Sequence, residues 1–127
     1  MRASYLIKKT HTAIQASEEP QRTKDNELFA QAKVNMTRAH FQAISLTLYR
    51  NQVESQEFKD SRIKPLLLEL AKIYALSTLM EDPAPVYDSG FFGSDASSNM
   101  KEALAQLVAA MRPQLLPLVE SLYQTDD

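Results

Sequence analysis

The side chains best suited to acid–base or metal chemistry are two histidines, His11 and His40. A helical pair of metal ligands needs its second member about one turn away. Neither histidine has a His, Asp or Glu four residues before or after it. His11 is therefore predicted to face solvent. His40 lies between Ala39 and Phe41 on an apolar segment and is predicted to be a hydrogen-bonded core residue, with a catalytic role as the weaker alternative.

The carboxylates occur as adjacent pairs, and the side chains of such a pair diverge instead of converging on one site. The pairs are Glu18 with Glu19, Glu81 with Asp82, and Asp126 with Asp127. The absence of cysteine excludes disulfides, cysteine zinc sites and cysteine nucleophiles. The GFFG stretch lacks the following Lys and Ser or Thr of a phosphate-binding loop. The residues themselves therefore predict no catalytic residue, no cofactor-binding residue and no metal site.

Length, composition and the chain termini limit the class of protein and the kinds of partner that can be expected. A chain of 127 residues with 44% apolar and 24% charged residues predicts one globular domain over residues 1–127. A net charge of −2 lacks the basic surplus expected of a nucleic-acid-binding surface. No apolar run reaches the roughly 18 residues of a membrane span. The N-terminus lacks a signal-peptide core and the C-terminus, YQTDD, lacks a peroxisomal tripeptide, so no targeting signal is predicted.

Few glycines and long periodic runs predict the fold class. Gly90 and Gly93 are the only glycines, whereas a β-rich or α/β domain of this size needs more of them for its turns. We predict an all-α fold, an antiparallel bundle of about four long helices. The predicted helices cover residues 1–17, 26–54, 60–80, and the stretch from Ser94 or Ser97 to residue 122. An irregular loop is predicted at about 80–95.

Apolar spacing predicts which helical faces are buried. The second helix is apolar on more than one face around residues 41–49, which is typical of a buried helix. The third helix is predicted to begin at Asp60 as its N-cap, with Pro65 in or near the first turn, where proline costs little. Its apolar stripe consists of Ile63, Leu67, Leu70, Tyr74 and Ser77.

The fourth helix contains Pro113 and Pro117, although a proline inside a helix costs about 3 kcal/mol. Its apolar stripe nevertheless keeps its phase through both prolines: Met100, Leu104, Leu107, Met111, Leu115, Leu118 and Leu122. The prolines lie about 200° round the helix from that stripe. We therefore predict one helix that bends at Pro113 and Pro117, with the prolines on its outer face and Arg112 near the carbonyls that they leave unpaired.

The loop at 86–93 is the most unusual stretch, because it carries Tyr87, Phe91 and Phe92 between turn residues. These aromatic side chains are predicted either to pack down on the bundle or to project into a partner, since aromatic residues are favoured interface anchors. Pattern alone predicts a helical bundle that binds or assembles.

Three stretches of the chain form one ordered set of motifs: RAHFQAISLTLYRNQVE at 38–54, FKDSRIKPLLLELAKIYALSTL at 58–79 and LVAAMRPQLLPLVESL at 107–122. Together they resemble the C-terminal helical domain of peroxisomal acyl-CoA oxidases. The first resembles an Ala-His-containing helix of that domain, and the other two resemble the helices that follow, in the same order and at similar distances. The similarity covers about residues 27–122, and its family-like positions without an assigned role include His40, Tyr74 and Arg112.

The resemblance implies membership of a family of FAD-dependent flavoproteins. These oxidoreductases of peroxisomal fatty acid β-oxidation convert acyl-CoA and O2 to trans-2-enoyl-CoA and H2O2. The catalytic base, the flavin contacts and the acyl-CoA pocket lie outside the part that this chain resembles. The expected role is therefore packing on the preceding helical domain and assembly of a homodimer, with no FAD in this chain and no activity of the isolated chain.

The chain also departs from the family pattern. Pro117 stands where a small residue is usual, Glu120 replaces an Asp, and the peroxisomal tripeptide is absent, although the resemblance implies a peroxisomal location. A free-standing helical adaptor that binds a protein through the 86–93 loop is the alternative. A carrier of an apolar ligand between helices is a third, weaker hypothesis.

Overall fold

The structure, a computed structural model, describes residues 1–123 and the side chains of residues 1–120. Every regular element in this range is a helix, which confirms the all-α prediction. Three residues named in the sequence predictions, Leu122, Asp126 and Asp127, lie outside the described side chains.

The helices run in chain order as α1 (Arg2–Ala16), α2 (Gln21–Thr23), a π-helical turn (Lys24–Leu28), α3 (Ala30–Ser55), α4 (Ile63–Glu81), α5 (Ala84–Asp88) and α6 (Ala96–Tyr123). Helices α1, α3, α4 and α6 lie where the four long helices were predicted. The stretch at about 80–95 was predicted to be irregular throughout. That prediction is wrong for Ala84–Asp88, which form the short helix α5.

Three helix starts differ from the predictions. Helix α3 begins at Ala30 instead of residue 26, because Lys24–Leu28 form a π-helical turn. Helix α4 begins at Ile63, since the Asp60 carboxylate accepts a hydrogen bond from the Arg62 backbone N–H at 2.9 Å and closes a turn before the helix. Helix α6 begins at Ala96, and the carbonyl of Asp95, not of either predicted serine cap, accepts the hydrogen bond from the Asn99 N–H at 3.0 Å.

The π-helical turn was not anticipated from the sequence. Its wider ring is closed by the Phe29 N–H donating to the Lys24 carbonyl at 3.1 Å, five residues back. The Asp25 carboxylate accepts a hydrogen bond from the Gln21 amide at 3.0 Å and forms an ion pair with Lys33. Asp25 thus ties the turn to residues before and after it.

Contacts group the chain into two compact units. Unit 1 comprises residues 1–49 and 83–93, and unit 2 comprises residues 50–82 and those from 94 onward. In unit 1, α1 contacts α5. In unit 2, α4 contacts α6. The prediction of one domain over residues 1–127 stays a prediction.

The pairing of α4 with α6 in unit 2 is antiparallel. Residues 63–69 of α4 face residues 110–118 of α6, and residues 72–76 face residues 103–110. The predicted α6 stripe is confirmed at Met100 and Met111, which are buried, whereas Leu115 is 41% exposed. The α6 stripe is therefore well covered only in its first half.

Helix α6 continues through Pro113 and Pro117, as the unbroken apolar phase predicted. Both prolines are exposed, but they also line a groove that faces the start of α4, so their placement on a purely outer face is wrong. Pro113 and Pro117 have no backbone N–H, so the carbonyls one turn before them lack their usual donor. Among the described residues, Arg112 forms no hydrogen bond to those carbonyls. The bend stays a prediction.

Replacing Pro113 by Ala restores a backbone donor inside α6, so Pro113→Ala is expected to raise the free energy of unfolding by about 1–3 kcal/mol. Pro65→Ala is the matched control, because the first turn of α4 has no helical hydrogen bond for proline to remove. Urea unfolding followed by circular dichroism measures both. A loss of stability in Pro113→Ala would show that packing of the ring in the groove outweighs the missing hydrogen bond.

Candidate functional site

The aromatic loop, residues 83–93 of unit 1, is anchored by a buried short helix. Pro85 and Val86 of α5 are buried, and Val86 is fully enclosed. The Val86 N–H donates to the Pro83 carbonyl at 3.0 Å, and the Ser89 hydroxyl donates back to the Val86 carbonyl at 2.8 Å. Gly90 has a φ of +66°, a conformation that glycine adopts without strain, and it turns the chain away after α5.

A salt bridge holds α5 on α1 within unit 1. The Lys9 ammonium lies 3.4 Å from the Asp88 carboxylate and 5.6 Å from the centre of the Tyr5 ring. Interaction with Tyr5, and then the hydrogen bond to Asp88, raises the pKa of Lys9 above its usual value. Both charged side chains are largely exposed, so the pair orients the loop more than it stabilises the fold.

The two phenylalanines of the aromatic loop project into solvent. Phe91 is 70% exposed and Phe92 is 38% exposed, whereas Tyr87 is half-buried. The two phenylalanine rings pack edge to face with their centroids 5.6 Å apart. The prediction that these residues pack down on the bundle is wrong for Phe91, and their role in an interface stays a prediction.

A second exposed surface, the α3 stripe, consists of Val34, Phe41, Ile44 and Leu48. These residues are 51%, 65%, 41% and 63% exposed, respectively. Their spacing of seven, three and four residues places them on one helical face. The second helix was predicted to be buried on more than one face. That prediction is wrong for the face that carries the α3 stripe, which is exposed.

The opposite face of α3 is the packed one. It is centred on Ala39, which is only 4% exposed, and Leu46 lies half-buried two turns further on. His40 lies about 100° from Ala39 round the helix and is exposed, so the prediction of a core histidine is wrong. His11 is exposed, which confirms its predicted place.

Unit 2 leaves its most apolar helix only partly covered. Helix α4 has the most apolar sequence of the long helices, yet none of its residues is buried. Tyr74 is 47% exposed, and Arg112 on α6 is also exposed, so neither family-like position is enclosed. Exposed apolar side chains continue along the end of α6 at Leu115, Leu116 and Val119.

A groove of about 940 Å³ lies between the first half of α4 and the second half of α6. Its apolar lining includes Leu66, Leu67 and Leu118, and of all its lining residues only Met111 is buried. A second groove of about 620 Å³ follows along the same helix pair. Such volumes could accommodate a small apolar ligand or a side chain of another helix.

Asp60 and Arg62 form a two-pronged ion pair at the polar end of the larger groove. One guanidinium nitrogen lies 2.7 Å from the second carboxylate oxygen, and the Arg62 Nε lies 3.1 Å from the first. The hydrogen bonds from the Arg62 side chain, and then from its backbone, lower the pKa of Asp60 from its ordinary 3.8 to about 2. Asp60 therefore stays ionised well into the acid range.

The described residues do not bring acid–base groups together. Between residues 1 and 123 there is no group of three or more His, Cys, Asp or Glu side chains able to hold a metal ion. No helix in that range is long and apolar enough to cross a membrane. The predictions of no catalytic, cofactor-binding or metal-ligating residue stay predictions.

Comparison with known proteins gives one match. A family model described as acyl-CoA oxidase matches residues 1–127. No curated protein and no solved structure matches the chain.

The ion pair of Asp60 predicts a pH dependence of stability. Because the folded pKa is below 3.8, the contribution is present above about pH 4 and is lost as the pH falls toward 2. Asp60→Asn is expected to unfold at lower urea concentration than the native chain at pH 7, with the difference shrinking by pH 2.5. Arg62→Gln is expected to show the same loss of stability at pH 7 and the same recovery by pH 2.5. If either variant still unfolded at a lower urea concentration than the native chain at pH 2.5, the ion pair would not be the cause of the pH dependence.

Proposed function

Because the chain belongs to the acyl-CoA oxidase family, we propose that it forms the C-terminal helical domain of an FAD-dependent oxidase that converts acyl-CoA and O2 to trans-2-enoyl-CoA and H2O2. The family is one of oxidoreductases of fatty acid metabolism and is generally peroxisomal. In this proposal the chain contributes domain packing and dimer assembly, and FAD, acyl-CoA and the catalytic base are held by the rest of the oxidase.

The observation that carries the proposal is the incomplete cover of α4. The apolar surface of a helix is normally covered by other helices. Helix α4 contacts α6 and has no buried residue. A further helical surface packed on this pair would remove its apolar side chains from water, at about 25 cal/mol per Å². The upstream helical domain of the oxidase supplies that surface.

The exposed end of α6 is the most accessible part of this packing surface. Leu116 is 68% exposed and Val119 is 45% exposed, with Arg112 one turn before Leu116. A large apolar patch on a protein surface commonly marks an interaction site. The arginine adds a charged group that interfaces favour at their margins.

The test measures binding of the chain to the flavin-bearing body of an acyl-CoA oxidase supplied as a separate polypeptide. Leu116→Ser is expected to weaken binding about tenfold or more, as truncation of an interface anchor does. Leu48→Ser is the matched control, because Leu48 is 63% exposed but lies on α3. The isolated chain is expected to retain no FAD and to produce no peroxide from acyl-CoA. Retention of a yellow flavin complex by the isolated chain would falsify this role.

The adaptor alternative is favoured by one observation, the exposure of Phe91 beside Phe92. If the aromatic loop serves as an interaction surface for another protein, joint replacement of Phe91 and Phe92 by Ala is expected to abolish capture of that partner and leave helicity unchanged. Circular dichroism and thermal unfolding report the fold. A marked fall in the unfolding temperature would instead assign both rings to packing.

A further inference from the structure

We propose that two backbone carbonyls of α6, those of Ala109 and Pro113, form a hydrogen-bond acceptor site for an arginine side chain of the upstream helical domain. The inference rests on the proposed packing role of this chain and names the chemistry of the partner at that surface. The residues that carry it all belong to unit 2.

The two prolines of α6 create these acceptors. A proline has no N–H to offer the carbonyl four residues before it, and its ring lies against that carbonyl. Pro113 therefore leaves the Ala109 carbonyl without its donor, and Pro117 does the same to the Pro113 carbonyl, inside a helix that continues through both. Both prolines line the larger groove between α4 and α6. The two acceptors thus lie beside the surface that the proposed packing role covers.

Covering this groove changes what the two carbonyls require. Ala109, Pro113 and Pro117 are exposed, so water reaches both carbonyls in the chain by itself. A carbonyl that is removed from water without a new donor destabilises the complex. Among the described residues no group donates to either carbonyl, and Arg112 does not line the groove. A partner that covers the groove must therefore bring the donors itself.

Arginine is the side chain that meets this requirement most completely. Carbonyls four residues apart on one helix are separated by about 6 Å along its axis. The planar guanidinium carries five N–H donors and no acceptor, so its edges can address both oxygens and leave no acceptor of its own unpaired. A lysine ammonium would have to lie about 3 Å from both oxygens at once, and an amide side chain would add an acceptor to the groove.

The surroundings of the two carbonyls favour a cation on an apolar stem. An unpaired helical carbonyl carries the kind of partial negative charge that is found at the C-terminus of a helix. The groove is lined by apolar residues such as Leu66, against which the methylene stem of an arginine packs. Asp60 and Glu69 also line the groove. Their carboxylates are already paired, with Arg62 and Lys72 respectively, so the carbonyls are the acceptors left for a partner.

Replacing both prolines by Ala tests the acceptor site, because alanine restores the two N–H donors and closes the site from within α6. Pro113→Ala/Pro117→Ala is expected to unfold at a higher urea concentration than the native chain. The same variant is expected to bind the flavin-bearing body of the oxidase at least tenfold more weakly in isothermal titration calorimetry, because the partner's arginine loses its acceptors. Stability and binding thus move in opposite directions, which damage to the fold does not produce.

Pro65→Ala is the matched control for the loss of a ring. Pro65 lines the same groove, but in the first turn of α4 its missing N–H leaves no helical carbonyl unpaired. This variant is expected to bind nearly as tightly as the native chain. Equal binding by the native chain and the double variant, or equal weakening in Pro65→Ala, would overturn the acceptor site and leave the packing role intact. A native chain that does not bind the oxidase body would overturn both.

NMR observes one of the two acceptors directly. Ala109 and Ala110 form the only Ala–Ala step of the sequence, so alanine labelled with 13C at its carbonyl and 15N at its amide gives one coupled signal, from the Ala109 carbonyl. A charged donor is expected to move this carbon signal downfield when the oxidase body is added. In Pro113→Ala the carbonyl is already bonded within the helix, so no such movement is expected. A native signal that does not move downfield on binding would overturn the proposal.

Discussion

Helix α4 carries a broad apolar surface, and it is paired with α6 without burying any of its own residues. The free energy of removing apolar surface from water is the main term that favours helix packing. An uncovered apolar helix therefore retains a driving force for association. The packing role proposed for this chain would use that driving force.

The two units differ in the kind of surface that they expose. In unit 2 the exposed apolar side chains continue along a helix pair that contains grooves, which suits a broad contact with other helices. In unit 1 the exposed residues form a narrow stripe on α3 and an aromatic pair on an anchored loop.

Much of the fold followed from the spacing of apolar residues, and the departures have local causes. The positions of the long helices, and the continuity of α6 through Pro113 and Pro117, follow from a helical period that the prolines do not interrupt. The π-helical turn is accompanied by the bonds of Asp25 to Gln21 and Lys33, and a period analysis does not detect such side-chain bonds. Helix α5 is short, and its Val86 is stabilised by burial, which no local pattern reveals.

By itself the sequence determined the all-α class, the approximate positions of the long helices and the family, because these depend on periodicity, turn residues and the order of motifs. Only the tertiary structure decided which apolar face of α3 is packed and which is exposed, and that His40 lies outside the core. A helix that is apolar on two faces satisfies the same pattern whichever face is covered. The choice between those faces depends on the neighbours that the fold brings against them, and so on contacts that sequence spacing does not contain.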